Sequence, residues 1–266
     1  MSARLRIIAD DGGRDPRRNL ALDEAVAREA GPEPVVRLWR NDRCVVVGRF
    51  QVAAAEVDVP VAGRLGVPVY RRFTGGGAVY HDPGNLNVSL VAGRAVVLGG
   101  GLHALYAAVL EPLAAAVRTL GIAAEPAGRG LFAGGRKLGG IAAWVGGTSV
   151  LVHATLLVDA DLATLERVLA GPGEPANPRW KLTRSEHAPV TSIARRLGRT
   201  VRGPELHAQV DDAVSRAFAA TATRFGSGAA GHDRVRPSEL AAAISLFASR
   251  YASPAWHMRG TFDERR

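Results

Sequence analysis

The feature that most constrains the fold is a glycine-centred segment at residues 71–87, which reads RRFTGGGAVYHDPGNLN. Its three consecutive glycines, at 75–77, lack a Cβ, so their backbone N–H groups can approach a ligand closely. Extended apolar runs enter the segment from Val67 and leave it toward Val91, which predicts strands on both sides. The segment contains no GxxxxGK[ST] phosphate loop, and no long helical pattern follows the glycines. It therefore predicts either an anion-facing loop or an ordinary glycine-rich hairpin.

Polar side chains around the glycines favour the ligand-binding interpretation. A simple hairpin has no need of so many polar groups. They are Arg71, Arg72, Tyr80, His81, Asp82, Asn85 and Asn87. The two arginines stand just before the glycines, separated from them by Phe73 and Thr74, so we expect positive charge beside the open backbone amides.

The remaining pattern predicts an α+β fold with mixed β-sheets flanked by helices. Apolar runs at 35–39 and 44–48 are separated by the turn-forming sequence RNDR and predict two paired strands. From Leu102 onward, apolar residues recur at helical spacing, which predicts one long helix that Pro112 kinks or divides. Strands dominate the first 160 residues and helices the remainder, an arrangement typical of α+β proteins.

An earlier helix carries two adjacent carboxylates. Asn19 is the predicted N-cap of this helix, which extends to about Glu29. Asp23 and Glu24 are either a pair of carboxylates in the site or solvated charges that favour the helix dipole.

Two later segments lack a clear periodic pattern. Residues 170–185 are rich in Gly, Pro and basic residues and predict a loop. The sequence GSGAAGHD at 226–233 predicts an irregular segment that leads into a final helix at 238–251.

Composition narrows the possible partners. The chain has 266 residues, a formal net charge of +9 and a sequence pI near 10.8, so nucleic acid, an anionic membrane or an acidic protein can be attracted to it. The arginines are dispersed and interleave with few aromatic residues, which disfavours nucleic acid. The sequence shows no apolar run of membrane-spanning length and no signal peptide, so we expect a cytoplasmic protein. Cys44 is the single cysteine, and its apolar surroundings predict a buried packing residue.

Several motifs resemble one known family. RRFTGGGAVYHDPGNLNVSL is similar to the signature of the lipoate-protein ligase A family, and further segments agree in the same order. These are NLALDEAV from Asn19, LWRNDRCVVVGRFQ from Leu38, GRKLGG from Gly135 and VHATLLVDADL from Val152. The resemblance covers about residues 19–195. It implies a biotin/lipoyl-synthetase-like catalytic domain over residues 1–200, followed at 201–266 by a C-terminal helical segment rather than a full accessory domain.

The resemblance also implies an activity. Members of the family use ATP to attach lipoate, or a similar medium-chain acid, to a lysine of a protein through an acyl-adenylate. The expected cofactors are ATP and Mg²⁺, and the expected substrate is lipoate or octanoate. The acceptors would be acidic lipoyl domains of 2-oxoacid dehydrogenases or the glycine-cleavage H protein, with a separate accessory subunit as a further partner. Neither nucleic acid nor a membrane is expected to bind.

Lys137 is the predicted catalytic residue. Glycines at 134, 135, 139 and 140 flank it, so its ammonium can approach a ligand unobstructed, and it matches the lysine that contacts the acyl carbonyl and the phosphate in the family. The predicted contacts to the lipoyl-adenylate are Arg72, Thr74, Gly75, Gly76, Gly77, Asn85 and His153. Three further positions match the signature and are expected near the ligand: Arg71, His81 and Asp82.

The sequence also departs from the family pattern. GRGLFAGGRK at 128–137 lacks the Asn-Asp pair of the family's GRNDL element, which leaves the metal ligands open. KLGGIA is closer to the octanoyltransferases of the same superfamily, which take an acyl group from acyl carrier protein through a cysteine nucleophile. Two alternatives therefore stay open: such a transferase, and a non-catalytic acyl-binding homologue that has lost adenylation. The sequence does not decide between lipoate and octanoate, nor does it identify the acceptor or the oligomeric state.

Overall fold

The computed structural model describes residues 3–9, 13–97, 101–169, 183–198 and 203–259. The strands in these ranges are β1 (Ala3–Ala9), β2 (Val35–Trp39), β3 (Cys44–Val47), β4 (Val69–Arg71), β5 (Val79–His81), β6 (Asn85–Gly93), β7 (Ala124–Ala127), β8 (Gly130–Ala133), β9 (Arg136–Val145), β10 (Ser149–Leu157) and β11 (Ser227–His232). The helices are α1 (Pro16–Arg28), α2 (Ala53–Glu56), α3 (Val59–Arg64), α4 (Arg94–Val97), α5 (Gly101–Thr119), α6 (Leu162–Val168), α7 (Ile193–Leu197), α8 (Pro204–Ala220), α9 (Pro237–Leu246) and α10 (Pro254–Arg259).

A large mixed sheet forms the centre of the molecule. Its strand order is β11-β1-β2-β6-β10-β9-β8-β7. β1 runs parallel to both β2 and β11, and the other neighbours are antiparallel. Alternate residues of a strand point to opposite faces: Ile7 packs with α5 and α8, whereas Ile8 packs with Val26 of α1. Helices therefore cover both faces of the sheet, and the predicted α+β class with mixed sheets is confirmed.

A smaller sheet carries the glycine segment. It contains β4, β3 and β5, with β3 parallel to β4 and antiparallel to β5. The runs at 35–39 and 44–48 are therefore not paired with each other, and that prediction is wrong. Both strands are buried on both faces, so they lack the alternation that indicates how strands pair. Between them, Asn41 is fully buried, and its side chain bonds to the Asn19 and His81 side chains.

The start of α1 also differs from the prediction. The N-cap is Asp15, whose side chain accepts a hydrogen bond from the backbone N–H of Arg17, and Pro16 occupies the first helical position. Asn19 lies one turn into the helix and is buried, where its Oδ1 accepts a hydrogen bond from Arg37 Nη2 at 2.6 Å. A buried polar partner on a neighbouring strand explains an asparagine at this position better than a cap does.

One further difference from the prediction depends on long-range strand pairing. The segment at 226–233, expected to be irregular, forms the edge strand β11 beside β1. Its Gly and Ala residues carry no strand signal, and its partner is more than two hundred residues away in the sequence.

The long helix is confirmed as α5, with Pro112 inside it. Of the predicted loop at 170–185, residues 170–182 lie outside the described residues. Residues 201–202 and 260–266 of the predicted C-terminal segment lie outside them as well.

The C-terminal helices pack against α1 through one buried carboxylate. Glu24 is fully buried and accepts hydrogen bonds from Arg28 Nε at 2.8 Å, from the Tyr251 hydroxyl at 2.7 Å and from Arg250 Nη1. A turn of π-helix at Phe247–Tyr251 brings the side chains of Arg250 and Tyr251 to the Glu24 carboxylate. Glu24 is therefore a structural anchor for the end of the described chain. No helix among the described residues is long and apolar enough to cross a lipid bilayer.

We expect Glu24→Ala to lower the free energy of unfolding by about 3 kcal/mol, because the buried Tyr251 hydroxyl loses its acceptor and two arginines lose their anion. Urea denaturation of the purified protein measures this change. The control is Glu29→Ala, which removes an exposed carboxylate at the end of the same helix and should cost less than about 0.5 kcal/mol. Equal losses in the two variants would contradict the anchoring role.

Candidate active site

The glycine loop between β4 and β5 is folded around the guanidinium of Arg72. Nη2 donates to the carbonyl oxygens of Gly75 at 2.6 Å and Gly77 at 2.8 Å, and Nε donates to Thr74 Oγ1 at 2.9 Å. Burial lowers the pKa of Arg72 to about 10, and the charge of Arg71 acts in the same direction. Gly76 has a φ of +86°, and a Cβ there would lie 2.9 Å from both the Ala142 Cβ and Arg72 Nη2, so only glycine fits. Arg72 therefore holds the conformation of the loop.

Arg71 points away from the loop because adjacent strand residues face opposite sides. Its Nη1 donates to the carbonyl oxygens of Gly48 at 2.8 Å and Gln51 at 2.7 Å, and its Nε donates to that of Trp256 at 3.0 Å. Burial lowers the pKa of this guanidinium to about 10. Arg71 thus ties the C-terminal helix α10 to the base of the glycine loop.

A chain of hydrogen bonds connects the loop to β10 and α1. His153 Nε2 lies 2.8 Å from Thr74 Oγ1, and His153 Nδ1 lies 3.0 Å from Asp23 Oδ2. Asp23 in turn lies 3.7 Å from Arg37 Nη1. Asp23 and Glu24 are both buried, so the prediction that they are solvated is wrong. The two carboxylates diverge, because Asp23 reaches the site and Glu24 reaches the C-terminal helices.

Lys137 lies at the start of β9 with its side chain folded along two glycines. A Cβ on Gly130 would lie 2.9 Å from Lys137 Cε, and a Cβ on Gly140 would lie 3.7 Å from Nζ. Both glycines therefore leave room for the lysine stem. Burial lowers the pKa of the Lys137 ammonium, and the nearby charge of Glu186 partly opposes that shift. Within the described ranges Lys137 has no salt bridge.

Two cavities meet at Lys137. The first has a volume of about 170 Å³ and a mixed wall, in which the apolar residues are Leu20, Trp39, Val46, Ile141, Ala142 and Ala143 and polar side chains form much of the rest. The second has a volume of about 380 Å³ and is lined by Tyr80, Leu157, Leu165, Glu166, His187 and Pro189. Both cavities share Lys137, Gly140, Thr155, Ser185 and Glu186. The lysine ammonium therefore lies where a molecule that extends through both cavities would pass.

The structure brings part of the predicted residue set to these cavities. The first cavity is lined by Arg72, Gly76, Gly77, His81, Lys137 and His153. The other predicted residues, Arg71, Thr74, Gly75, Asp82 and Asn85, are not among its described wall residues. Asp82 accepts hydrogen bonds from the backbone N–H groups of Gly84 and Asp161, and Asn85 donates to Asn87 Oδ1 at 3.1 Å. Asp82 and Asn85 therefore form hydrogen bonds next to the cavity wall rather than lining it.

Sequence reasoning missed several wall residues. Trp39 and Leu20 come from segments that looked like ordinary core, and Asn87 belongs to the glycine segment but was not selected. Ser185 was missed as well: its Oγ accepts a hydrogen bond from the backbone N–H of Ala78 at 2.8 Å, so it covers the end of the glycine loop. The GGG pattern itself indicates that something packs closely there, since a Cβ on Gly77 would lie 2.9 Å from Ser185 Oγ.

Cys44 is fully buried in β3, opposite His81. Burial raises the pKa of its thiol, so the thiolate that a nucleophile requires is disfavoured. Cys44 is also not among the described wall residues of either cavity. The prediction of a buried packing residue is confirmed.

The sequence and the fold match known proteins. Residues 15–219 match the family model described as the lipoyl protein ligase A/B catalytic domain. Lipoate-protein ligase A subunit 1 of Thermoplasma acidophilum is 31% identical over 97% of both chains. A lipoate-protein ligase A of Aeropyrum pernix is 36% identical over 61% of both chains.

Solved structures share the whole fold. A lipoate protein ligase of T. acidophilum with bound lipoic acid superposes with a TM-score of 0.77 at 29% identity, covering 97% of this chain and 99% of the other. A lipoate-protein ligase A with bound ATP gives the same values. The bipartite T. acidophilum ligase, described together with its E2 lipoyl domain, gives a TM-score of 0.78 at 28% identity and covers 96% of both chains. The chain belongs to the lipoyl protein ligase A/B catalytic-domain family.

Proposed function

We propose that this chain activates lipoate, or a similar medium-chain acid, with ATP and transfers the acyl group to a lysine of a lipoyl-domain protein. The observation that carries this proposal is the position of Lys137. Its ammonium is partly desolvated, has no salt bridge in the described chain and stands at the junction of the two cavities. A relative with bound lipoic acid and one with bound ATP share the fold over nearly its whole length, which supports both molecules as substrates.

The first cavity is the proposed acyl site. The apolar part of its wall, which includes Leu20, Trp39 and Val46, favours a hydrocarbon chain. The Lys137 ammonium lies beside Gly140. Ala142 follows two residues later on β9, about 7 Å further along the strand. It is paired with His153 of β10. A carboxylate at Lys137 would therefore place its chain along β9 toward His153 and Trp39.

The second cavity is the proposed nucleotide site. In the first reaction a carboxylate oxygen of the acid attacks the α-phosphorus of ATP, and pyrophosphate leaves. Negative charge accumulates on the phosphoryl oxygens in the transition state, and a fixed ammonium in a water-poor site stabilises that charge. Lys137 supplies the ammonium, and Arg72 supports the glycine loop, whose Gly76 and Gly77 line the adjoining first cavity.

The second reaction transfers the acyl group. The neutral amine of the acceptor lysine attacks the acyl carbonyl, AMP leaves with the electrons of the mixed anhydride bond, and the amine loses a proton. Lys137, held beside the carbonyl and the phosphate, stabilises charge on both groups. No covalent bond to the enzyme is required, so orientation and charge stabilisation account for catalysis.

Mg²⁺ would enter with the nucleotide. The described residues contain no group of three His, Cys, Asp or Glu side chains able to hold a metal. Mg²⁺ in nucleotide sites is bound mainly by phosphate oxygens and water, with one or two carboxylates. Glu186 lines both cavities beside Lys137 and fits that requirement, so it is the candidate protein ligand. The ion would neutralise phosphate charge.

The expected partners follow from charge and from the relatives. A net charge of +9 favours an acidic acceptor such as a lipoyl domain of a 2-oxoacid dehydrogenase or the glycine-cleavage H protein. The T. acidophilum enzyme is bipartite and is described with its E2 lipoyl domain. We therefore include a separate accessory subunit in the proposal for this chain.

The main test is acid-dependent ATP–pyrophosphate exchange, which reports the first reaction alone. We expect Lys137→Ala to reduce exchange by about 10²–10³-fold, because it removes the preorganised charge at the transition state. The adjacent Arg136 is exposed, so Arg136→Ala is the matched control and should retain exchange within about twofold of the wild-type rate.

If the folded wild-type protein binds lipoate but shows no exchange with lipoate or octanoate, alone or with an accessory subunit, adenylation is excluded. The non-catalytic binding homologue would then be the better description. Equal exchange rates in Lys137→Ala and wild type would remove Lys137 from the mechanism while leaving the ligase activity intact.

The pH dependence of exchange should report Lys137. Its pKa lies below the ordinary value of 10.5, so the ammonium loses its proton, and exchange declines, at a lower pH than for a solvated lysine. A guanidinium stays charged throughout this range. In Lys137→Arg, residual exchange should therefore keep its rate to higher pH. An alkaline decline at the same pH in both proteins would assign it to another group.

The cysteine-dependent transferase alternative is tested by removing the only thiol. We expect Cys44→Ala to retain exchange and acyl transfer within about twofold, because the residue is buried and does not line either cavity. The comparison is the rate of lipoyl-domain modification by each protein under identical conditions. Loss of transfer from an acyl thioester in a Cys44→Ala variant that stays folded would instead support the transferase.

A further inference from the structure

His81 has one hydrogen-bonded nitrogen and one without a partner. Nδ1 lies 3.0 Å from Asn41 Nδ2, whereas Nε2 is buried and has no hydrogen-bond partner among the described residues. The ring is 3% exposed and forms part of the wall of the first cavity. An unpaired polar atom in such a place is costly unless a ligand satisfies it.

The proton on the ring can be placed from the surrounding hydrogen bonds. A guanidinium has only donors, so Arg37 Nη2 must donate to Asn19 Oδ1, 2.6 Å away. The Asn19 Nδ2 group then donates to Asn41 Oδ1 at 3.0 Å. Asn41 Nδ2 is therefore left to donate to His81 Nδ1. Because Nδ1 accepts a hydrogen bond, the neutral ring carries its proton on Nε2, and the unpaired atom is a donor.

The ring stays neutral under assay conditions. Burial lowers the pKa of His81 to about 3, and the nearby charge of Arg72 acts in the same direction. At neutral pH the Nε2–H group is thus a single fixed donor rather than one of two exchanging forms.

His153 has the opposite tautomer. Arg72 Nε donates to Thr74 Oγ1, so the Thr74 hydroxyl can donate its proton to His153 Nε2. Asp23 Oδ2 then accepts from Nδ1–H of the same ring. The hydrogen-bonding groups of His153 are used within the protein, whereas His81 keeps a donor that the described protein does not use.

The position of His81 indicates which part of an acid it meets. Lys137, Gly140 and Thr155 line both cavities, but His81, Trp39 and Leu20 line the first cavity alone. The Trp39 ring stands nearly perpendicular to His81, with the ring centroids 6.2 Å apart. With the carboxylate at Lys137, the residues around His81 would therefore meet the far part of the acyl chain.

We propose that His81 is a specificity-determining residue whose Nε2–H donates to an acceptor atom on the distal part of the acyl chain, so that the cavity favours a dithiolane-bearing acid over a plain eight-carbon acid. This inference rests on the proposed acyl site. A ring sulfur has lone pairs that accept a hydrogen bond, although weakly, whereas an alkyl end has none. A plain hydrocarbon would leave the donor buried and unpaired.

The kinetic test compares lipoate with octanoate in acid-dependent ATP–pyrophosphate exchange. We expect the ratio of kcat/KM for the two acids to be about fivefold in favour of lipoate in the wild type, a modest value because sulfur is a weak acceptor. In His81→Phe, which keeps a planar ring without the donor, the ratio should fall to about one. His103→Phe is the matched control, since His103 is exposed on α5, is not among the described wall residues of either cavity and should leave the ratio unchanged.

A second measurement does not require ATP turnover or a variant that folds perfectly. Nitrogen NMR of wild-type protein labelled at histidine distinguishes an Nε2–H ring from an Nδ1–H ring. We expect the His81 signal to show the Nε2–H form and to shift more on addition of lipoate than of octanoate. An Nδ1–H ring, or equal shifts with both acids, would overturn the inference.

The two measurements separate this inference from the proposed function. Exchange with both acids at a ratio that His81→Phe does not change would support the ligase and overturn the role of His81. Absence of exchange together with the expected NMR shifts would overturn adenylation and support the recognition role. Absence of any shift with either acid would overturn the acyl site and the role of His81 together.

Discussion

Three buried arginines organise the molecule around its cavities. A guanidinium can only donate hydrogen bonds, so each of them fixes the orientation of the acceptors around it. Arg72 gathers the carbonyl oxygens of the glycine loop, Arg71 gathers those of the preceding loop and of α10, and Arg37 orients the Asn19 side chain. Burying a cation costs free energy unless hydrogen bonds compensate, and here backbone carbonyls and amides supply most of them.

Two series of polar contacts connect Arg37 to the first cavity. One passes through Asn19 and Asn41 to His81, and the other passes through Asp23 to His153. The two histidines face the same cavity with different nitrogens protonated, because one ring accepts a hydrogen bond from an amide and the other donates one to a carboxylate. The protein thus places hydrogen-bond donors and acceptors on residues that line the first cavity and not the second.

Lys137 stands where the two cavities meet, beside Glu186. Its partial desolvation lowers the pKa of the free ammonium, and anionic substrates would restore it. Gly130 helps to make this position possible, since a Cβ there would lie 2.9 Å from Lys137 Cε.

The sequence by itself determined the family, the glycine loop and Lys137, because these depend on local residue types and spacing that the fold does not alter. It also predicted the α+β class and the long helix α5 from periodicity. Tertiary structure alone decided which arginine turns inward, since alternation along a strand does not say which face meets the cavity. Tertiary structure also placed β2 and β3, which were predicted to pair, in different sheets and paired β11 with the distant strand β1. It directed Glu24 to the C-terminal helices and Asp23 to the site. Each of these outcomes depends on buried polar groups and non-local pairings, whose partners are far apart in the chain and leave no periodic trace in it.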